Sequence, residues 1–136
     1  MSDTFQLRIV TPTRQLLDEP ANEVTAPGTA GEFGVLPEHT TFLGSLETGT
    51  LSFRVGRATR RLVIRGGFAE VINDVMTVLA DAAQFAEEVD AAKAQEDLRT
   101  AEARLKDHTP LDDEYIQADT DRRWAEARLA VAGTKP

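Results

Sequence analysis

Residues 66–80 read GGFAEVINDVMTVLA, and this stretch decides the first half of the fold. The pair Gly66-Gly67 forms a turn before the apolar run 68–72, and Asn73-Asp74 turns the chain into a second run at 75–80. Short runs rich in Val, Ile and Phe, bounded by Gly, Asn or Asp, are typical of antiparallel strands. The stretch therefore predicts a β-hairpin.

The same pattern extends toward the N-terminus. Short apolar or alternating runs recur, and Gly, Pro, Asn or Asp interrupts them about every 8–12 residues, a spacing that favours a β-sandwich or barrel. No helical pattern lies between the runs, so parallel βαβ units are not expected. The further predicted strands are residues 5–10, 15–17, 23–26, 33–36, 49–55 and 61–65.

The composition changes near residue 83, which divides the chain into a predicted β-domain (1–83) and a predicted helical segment (84–136). The second part is rich in Ala, Glu, Asp, Arg and Leu, which are helix formers apart from Asp, a capping residue. Pro110 interrupts the helical pattern, because proline donates no backbone hydrogen bond. Two helices joined by so few residues fold back as an antiparallel hairpin, with Asp90 and Asp112 as expected N-caps.

The apolar positions of the two predicted helices are mostly alanine. Alanine contributes little on burial, whereas ordering each residue costs about 1–2 kcal/mol of backbone entropy. We therefore expect a hairpin that neighbours can open or extend; the simpler alternative is a hairpin that packs in one pose. The predicted seams are Ala91, Ala94, Leu98, Ala101 and Leu105, and then Ile116, Thr120, Trp124, Ala127 and Val131.

Composition excludes several classes of protein. A net charge of −8 and a pI near 4.7 argue against a nucleic-acid binder. The absence of cysteine excludes disulfides and thiolate sites. The two histidines have no metal-ligand spacing, and no phosphate loop or nucleophile motif occurs, so we expect neither a metal site nor an enzyme. The strand pattern begins by Phe5, so no targeting peptide is expected.

Two groups of arginines stand out against the acidic background. One group lies at positions 54–65; it is either a patch for an acidic partner or nucleic acid, or a charged strand edge that prevents edge-to-edge pairing. The other group lies on the second predicted helix, where arginines can form pairs with acids one turn away or bind an acidic partner. The groups comprise Arg54, Arg57, Arg60, Arg61 and Arg65, and Arg122, Arg123 and Arg128.

Three motifs and the hairpin together resemble the epsilon subunit of bacterial F-type ATP synthase. The motifs are GEFGVLPEHT at 31–40, GGFAEV at 66–71 and VLADAA at 78–83, and the resemblance extends from about residue 5 to residue 131. It implies a ten-stranded β-sandwich followed by a two-helix hairpin. It further implies a non-catalytic central-stalk subunit, at the cytoplasmic face of the bacterial inner membrane or in a plastid, held there through its complex.

The resemblance also implies partners. The β-domain is expected to bind the gamma subunit and the c-subunit ring, with Glu32 and His39 as c-ring contacts. Four glycines are expected to shape the loops: Gly31, Gly34, Gly66 and Gly67. The hairpin is expected to extend toward the alpha and beta subunits and inhibit ATP hydrolysis, with Arg122, Arg123 and Arg128 facing acidic segments of beta.

Some members of that family bind ATP in the folded hairpin, as a regulatory ligand. Their motif corresponds here to residues 89–94, VDAAKA, in which Lys93 replaces an arginine and so lacks the planar fork that grips phosphate. Asp90, Lys93 and Arg128 are the candidate ATP-binding residues. A nucleotide-sensing module is therefore the alternative function, although Asp90 is equally the expected helix cap.

Overall fold

The computed structural model describes residues 3–133. They form two compact units that divide between Phe85 and Ala86. The division lies just beyond the expected boundary at residue 83, because residues 83–85 form one more strand.

Ten strands make up the described part of the first unit, as the family resemblance implies. Two of them, β5 and β10, lie outside the runs that the sequence pattern identified. The strands are β1 (Phe5–Val10), β2 (Gln15–Ala21), β3 (Glu23–Gly28), β4 (Gly31–Val35), β5 (Phe42–Leu46), β6 (Gly49–Val55), β7 (Ala58–Ile64), β8 (Gly67–Ile72), β9 (Val75–Ala80) and β10 (Ala83–Phe85).

The strands pair in the order β10-β7-β6-β3-β5-β8-β9-β1-β2, and β4 pairs with β3. The predicted hairpin of β8 and β9 is present, with Phe68 opposite Leu79. Neighbours run antiparallel except β1 and β9, which run parallel. Pro20 lies within β2, which ends the strand order, and an edge strand tolerates the missing backbone donor.

Alternation along the strands builds the core of the sandwich. In β1 the side chains of Phe5, Leu7 and Ile9 are buried, while Gln6 and Arg8 point to the other side. The same alternation in the other strands gathers one apolar cluster, whose largest members include Phe53, Leu51, Leu62, Ile64 and Met76. The chain therefore has a β-sandwich with its own core.

The second unit begins with a short 3₁₀ turn (Ala86–Glu88) and contains α1 (Ala91–Lys106) and α2 (Asp113–Ala132). Asp90 is the N-cap of α1 as predicted, because its carboxylate accepts a hydrogen bond from the backbone N–H of Lys93 at 3.1 Å. Asp112 takes the N-cap position of α2, but its side chain accepts from the N–H of Thr109 instead of capping the helix. The fold of a β-sandwich followed by two helices is confirmed.

The contact face of α2 agrees with the predicted seam at Val131, which is buried, but not elsewhere. Its other buried residues are Ala118, Ala125 and Arg128, whereas Ile116 is 56% exposed. In α1 the buried positions Ala94 and Ala101 do belong to the predicted seam. The seam of α2 was misplaced because apolarity was used to find it, and one of its buried positions is an arginine.

Candidate functional site

Glu32 and His39 lie on strand β4 and in the loop that follows it. Glu32 lies on β4, opposite Pro27, and is exposed. His39 is half-buried, and its Nδ1 lies 2.7 Å from the carbonyl oxygen of Thr40. Its ring meets the ring of Phe42 edge-on at a centroid distance of 6.0 Å.

Phe42 connects these two residues to a shallow groove. The groove holds about 570 Å³ and is bordered by the β3–β4 turn, by Glu32 and by residues 42–45 of β5. Phe33 and Phe42 pack in it with ring centroids 4.9 Å apart. The sequence pattern did not identify β5, so it missed Phe42 and Leu43 as parts of this site.

Two of the predicted loop glycines are required by backbone geometry. Gly31 has φ +128° in the β3–β4 turn, and Gly67 has φ +121° at the start of β8. A Cβ on Gly67 would also collide with the carbonyl oxygen of Leu79 and lie 2.9 Å from the Cα of Ala80. Gly66, with φ +59°, completes the turn before β8.

The assignment of Gly34 as a loop-shaping residue needs correction. Gly34 lies inside β4, opposite Thr25, rather than in a turn. A Cβ there would approach nothing closer than the carbonyl oxygen of Val24 at 3.8 Å. This position therefore does not require glycine for its backbone or for space.

Large apolar side chains are exposed on one outer face of the sandwich. We call Leu43, Phe68 and Leu79 the apolar face; they lie on the adjacent strands β5, β8 and β9 and are 73%, 57% and 54% exposed. Phe68 lies directly opposite Leu79, and Leu43 also borders the groove. Contiguous exposed apolar residues of this kind mark interaction surfaces.

Part of this arginine group lies along an unpaired stretch of β7. Strand β10 pairs with β7 only at residues 62–64, so within residues 3–133 the outer side of the stretch that carries Arg60 and Arg61 has no partner strand. This arrangement agrees with the expected charged strand edge. Arg60 also stacks on Phe85 of β10, with its guanidinium carbon 4.3 Å from the ring centroid. Arg54 lies 3.7 Å from Glu23 on β3.

Arg122 and Arg123 pair with acids on their own helix. The guanidinium of Arg122 binds Asp119 at 2.6 Å and Glu126 at 3.0 Å, and Arg123 lies 3.2 Å from Asp119. The hydrogen bond from Arg122 is the main reason why the pKa of Asp119 lies below its usual value. Arg123 is the more exposed of the two, with 63% of its side chain accessible.

Arg128 differs from the other two because it is buried and crosses the hairpin. Only 11% of its side chain is exposed, and its Nη2 donates to Oδ2 of Asp97 on α1 at 3.0 Å. Lys93 binds the other carboxylate oxygen of Asp97 at 2.9 Å. Nearer the loop, Arg104 of α1 reaches Glu114 and Asp121 of α2 at 3.0 and 2.8 Å.

These pairs bear on the candidate ATP-binding residues. Asp90 caps α1, while Lys93 and Arg128 both bind Asp97. The cleft between the helices is lined by Asp97, Arg104, Asp121, Trp124 and Arg128, among others, and holds about 150 Å³. Ligand pockets typically hold about 300–1,000 Å³. The closed hairpin therefore offers its cations to internal carboxylates rather than to a nucleotide.

Within residues 3–133, no helix combines the length and apolarity needed to span a membrane. In the same range, no cluster of three or more His, Cys, Asp or Glu side chains is arranged to hold a metal ion.

These features define a class of two-domain protein in which a β-sandwich with an exposed apolar face is followed by a charged pair of helices. Two family models match the chain: "ATP synthase, Delta/Epsilon chain, beta-sandwich domain" over residues 4–86 and "ATP synthase, Delta/Epsilon chain, long alpha-helix domain" over residues 87–133. The chain belongs to the delta/epsilon chain family of ATP synthase. Members of this family are non-catalytic subunits, and the sequence also predicted a protein that is not an enzyme.

Curated relatives match over nearly their full length. The ATP synthase epsilon chain of Syntrophobacter fumaroxidans is 43% identical over 97% of this chain and 98% of its own. The epsilon chain of Solibacter usitatus is 43% identical over 99% of this chain and all of its own. A chain in the solved mitochondrial ATP synthase of Euglena gracilis is 27% identical, with a TM-score of 0.84 over 97% of this chain and 83% of that one.

Proposed function

We propose that this protein is the epsilon subunit in the central stalk of a bacterial F-type, proton-translocating ATP synthase. In this role it couples rotation of the c-ring to the catalytic head during ATP synthesis, and its hairpin restrains ATP hydrolysis. Its place is the cytoplasmic face of the inner membrane, where the complex holds it. The solved Euglena assembly that contains the similar chain includes F1 and the c-ring, which supports this assignment.

The apolar face is the observation that carries the proposal of a permanent partner. Leu43, Phe68 and Leu79 expose more than half of their surface on three adjacent strands. Fully burying one such side chain contributes about 1.5–3 kcal/mol, so a partner that covers all three gains substantial binding energy. A rotor subunit must not dissociate during turnover, and we assign this face to the gamma subunit.

The groove beside Glu32 and His39 is the proposed contact with the c-ring. It combines an exposed carboxylate with the aromatic pair Phe33 and Phe42. The loop that carries His39 is fixed to the sandwich, because the N–H of Glu38 donates to Asp74 at 2.6 Å. A loop held in this way can transmit torque, since it does not bend freely under load.

The hairpin is the proposed inhibitory element. When it opens, Arg128 leaves Asp97 on α1, whereas Arg122 and Arg123 keep their pairs within α2. All three can then face acidic segments of the beta subunits, and α2 lies beside the alpha and beta subunits. The alanine contacts between the helices support this step. Small buried side chains contribute little to keeping the hairpin closed.

The nucleotide-sensing alternative needs Lys93 and Arg128 to leave Asp97. Titration calorimetry of the isolated chain with ATP separates the two functions. Binding heat that disappears in Lys93→Gln would favour the sensor.

Two measurements on the assembled enzyme test the proposal. Affinity capture of the chain should recover gamma, and Phe68→Asp should reduce that recovery, whereas Thr59→Asp at an exposed position of β7 should not. Replacing Arg122, Arg123 and Arg128 together by Gln should raise ATP hydrolysis, whereas Arg99→Gln on α1 should not. Unchanged recovery in the first measurement, or unchanged hydrolysis in the second, would overturn the corresponding half.

A further inference from the structure

Arg128 is a buried charge in a pair of helices whose other buried residues are alanine and valine. The alanines among them include Ala94, Ala101 and Ala125. Its Nη2 donates to Asp97, and its Nε lies 3.4 Å from the carbonyl oxygen of Trp124. A buried charge that loses its counter-charge is strongly destabilising. The closed hairpin therefore depends on the carboxylate of Asp97.

Asp97 divides its two oxygens between two cations. Lys93 binds Oδ1 from the same helix, one turn away, and 59% of its side chain is exposed. Arg128 binds Oδ2 from the other helix. Opening the hairpin leaves the bond to Lys93 intact, because both partners lie on α1, but it must break the bond to Arg128. The bond between Asp97 and Arg128 therefore forms only in the closed state.

We propose that Asp97 is an internal competitor for Arg128, and that this competition sets how often the hairpin is available to inhibit hydrolysis. In the closed hairpin Arg128 binds Asp97; in the open hairpin it binds a carboxylate of an acidic partner segment. This inference rests on the proposed function, in which the open hairpin binds beta. Asp97 binds Arg128 only in the closed hairpin, so removing its charge destabilises that state alone and shifts the population toward the open hairpin.

The first test uses the isolated full-length chain and does not depend on the complex. Asp97→Asn keeps the shape of the side chain and removes its charge. Amide hydrogen exchange should show protection in α1 and α2 reduced roughly tenfold, as expected for the loss of one charge-assisted hydrogen bond. Trp124, the single tryptophan of the chain, lies beside Arg128 with the guanidinium carbon 5.3 Å from its ring, so it should become more accessible to acrylamide.

Two variants act as controls. Glu102→Gln removes an equal charge from an exposed position on the same helix and should leave protection unchanged. Asp97→Glu keeps the carboxylate and should restore most of the protection. Equal protection in Asp97→Asn and the wild-type chain would overturn the dependence of the closed hairpin on Asp97.

The second test uses the reconstituted ATP synthase. Asp97→Asn should lower ATP hydrolysis below that of the wild-type enzyme, because Arg128 is released more often. Adding Arg128→Gln to Asp97→Asn should abolish this extra inhibition. If the triple arginine variant raises hydrolysis but Asp97→Asn does not lower it, the competition is refuted and the inhibitory hairpin stands. If the triple variant has no effect, the inhibitory function itself fails.

Discussion

Gly67 is the position at which the backbone conformation and the surrounding atoms most clearly require glycine. It starts β8 with φ +121°, a conformation that side chains rarely adopt, and a Cβ would meet the backbone of Leu79 and Ala80. Backbone strain of this kind costs about 1–3 kcal/mol, and a clash with fixed backbone adds about 1–3 kcal/mol. Gly67→Ala should therefore destabilise the sandwich by roughly 3 kcal/mol or more.

Gly56 provides the matched control. It has φ +62° in the β6–β7 turn, but the space that a Cβ would occupy has no other atom within 4 Å. Gly56→Ala introduces backbone strain but no steric clash, so it should lower the free energy of unfolding by about 1 kcal/mol. For a domain of this size, 1 kcal/mol corresponds to roughly 4–8 °C in melting temperature.

Thermal unfolding of the two variants, followed by circular dichroism of the full chain, measures the difference. Gly67→Ala should lower the midpoint of the sandwich by about 12 °C or more, and Gly56→Ala by several degrees. Because Gly67 precedes Phe68, the first variant should also bind gamma less tightly. Equal midpoints for the two variants would refute the argument that the contact with the backbone of Leu79 makes glycine necessary.

Three further predictions concern the apolar face and the hairpin. Leu79→Asp should weaken capture of gamma at least tenfold in a pull-down titration, because hot-spot residues at interfaces contribute about 2 kcal/mol or more. Thr59→Asp, at an exposed position of β7 outside the apolar face, is the control. Ala125→Leu should destabilise the hairpin by about 1–3 kcal/mol through overpacking, whereas Ala130→Leu on the exposed side should not, as helix melting will show. The pKa of Asp97 is lowered from 3.8, mainly by the hydrogen bond from Lys93. The ionised carboxylate therefore stabilises the helical unit above pH 3.8, and this stabilisation is lost as the pH falls through the pKa of the folded state. In an acid titration followed by circular dichroism, Asp97→Asn should therefore lose less helical stability than the wild-type chain.

The local turn chemistry made most of the sandwich predictable. Gly66-Gly67 and Asn73-Asp74 define the β8–β9 hairpin, which the structure confirms. Strand β5 was missed because Gly44 and Ser45 break its apolar pattern, and β10 because it has three residues only. The parallel pairing of β1 with β9 joins segments distant in sequence, and no local pattern encodes such a contact.

The hairpin shows where apolar periodicity fails. It gave the two helices and the cap at Asp90, but it placed Ile116 in the contact face and left Arg128 outside it. A charged side chain is buried here because Asp97 lies on the facing helix, and that pairing depends on tertiary contact. The i,i+4 spacing of Lys93 and Asp97 was visible in the sequence, yet it gave no indication of the second cation.

The separation of the two helices inside the working enzyme tests the central claim most directly. The chain has no cysteine, so spin labels at Ala92→Cys and Ala130→Cys attach only there before reconstitution. Both alanines are exposed and lie near the ends of α1 and α2 that are remote from the loop between the helices. Pulsed electron spin resonance should show a short distance for the closed hairpin and a longer one that grows under ATP hydrolysis and in Asp97→Asn. A single short distance under every condition, in the wild-type chain and in Asp97→Asn alike, would contradict the account.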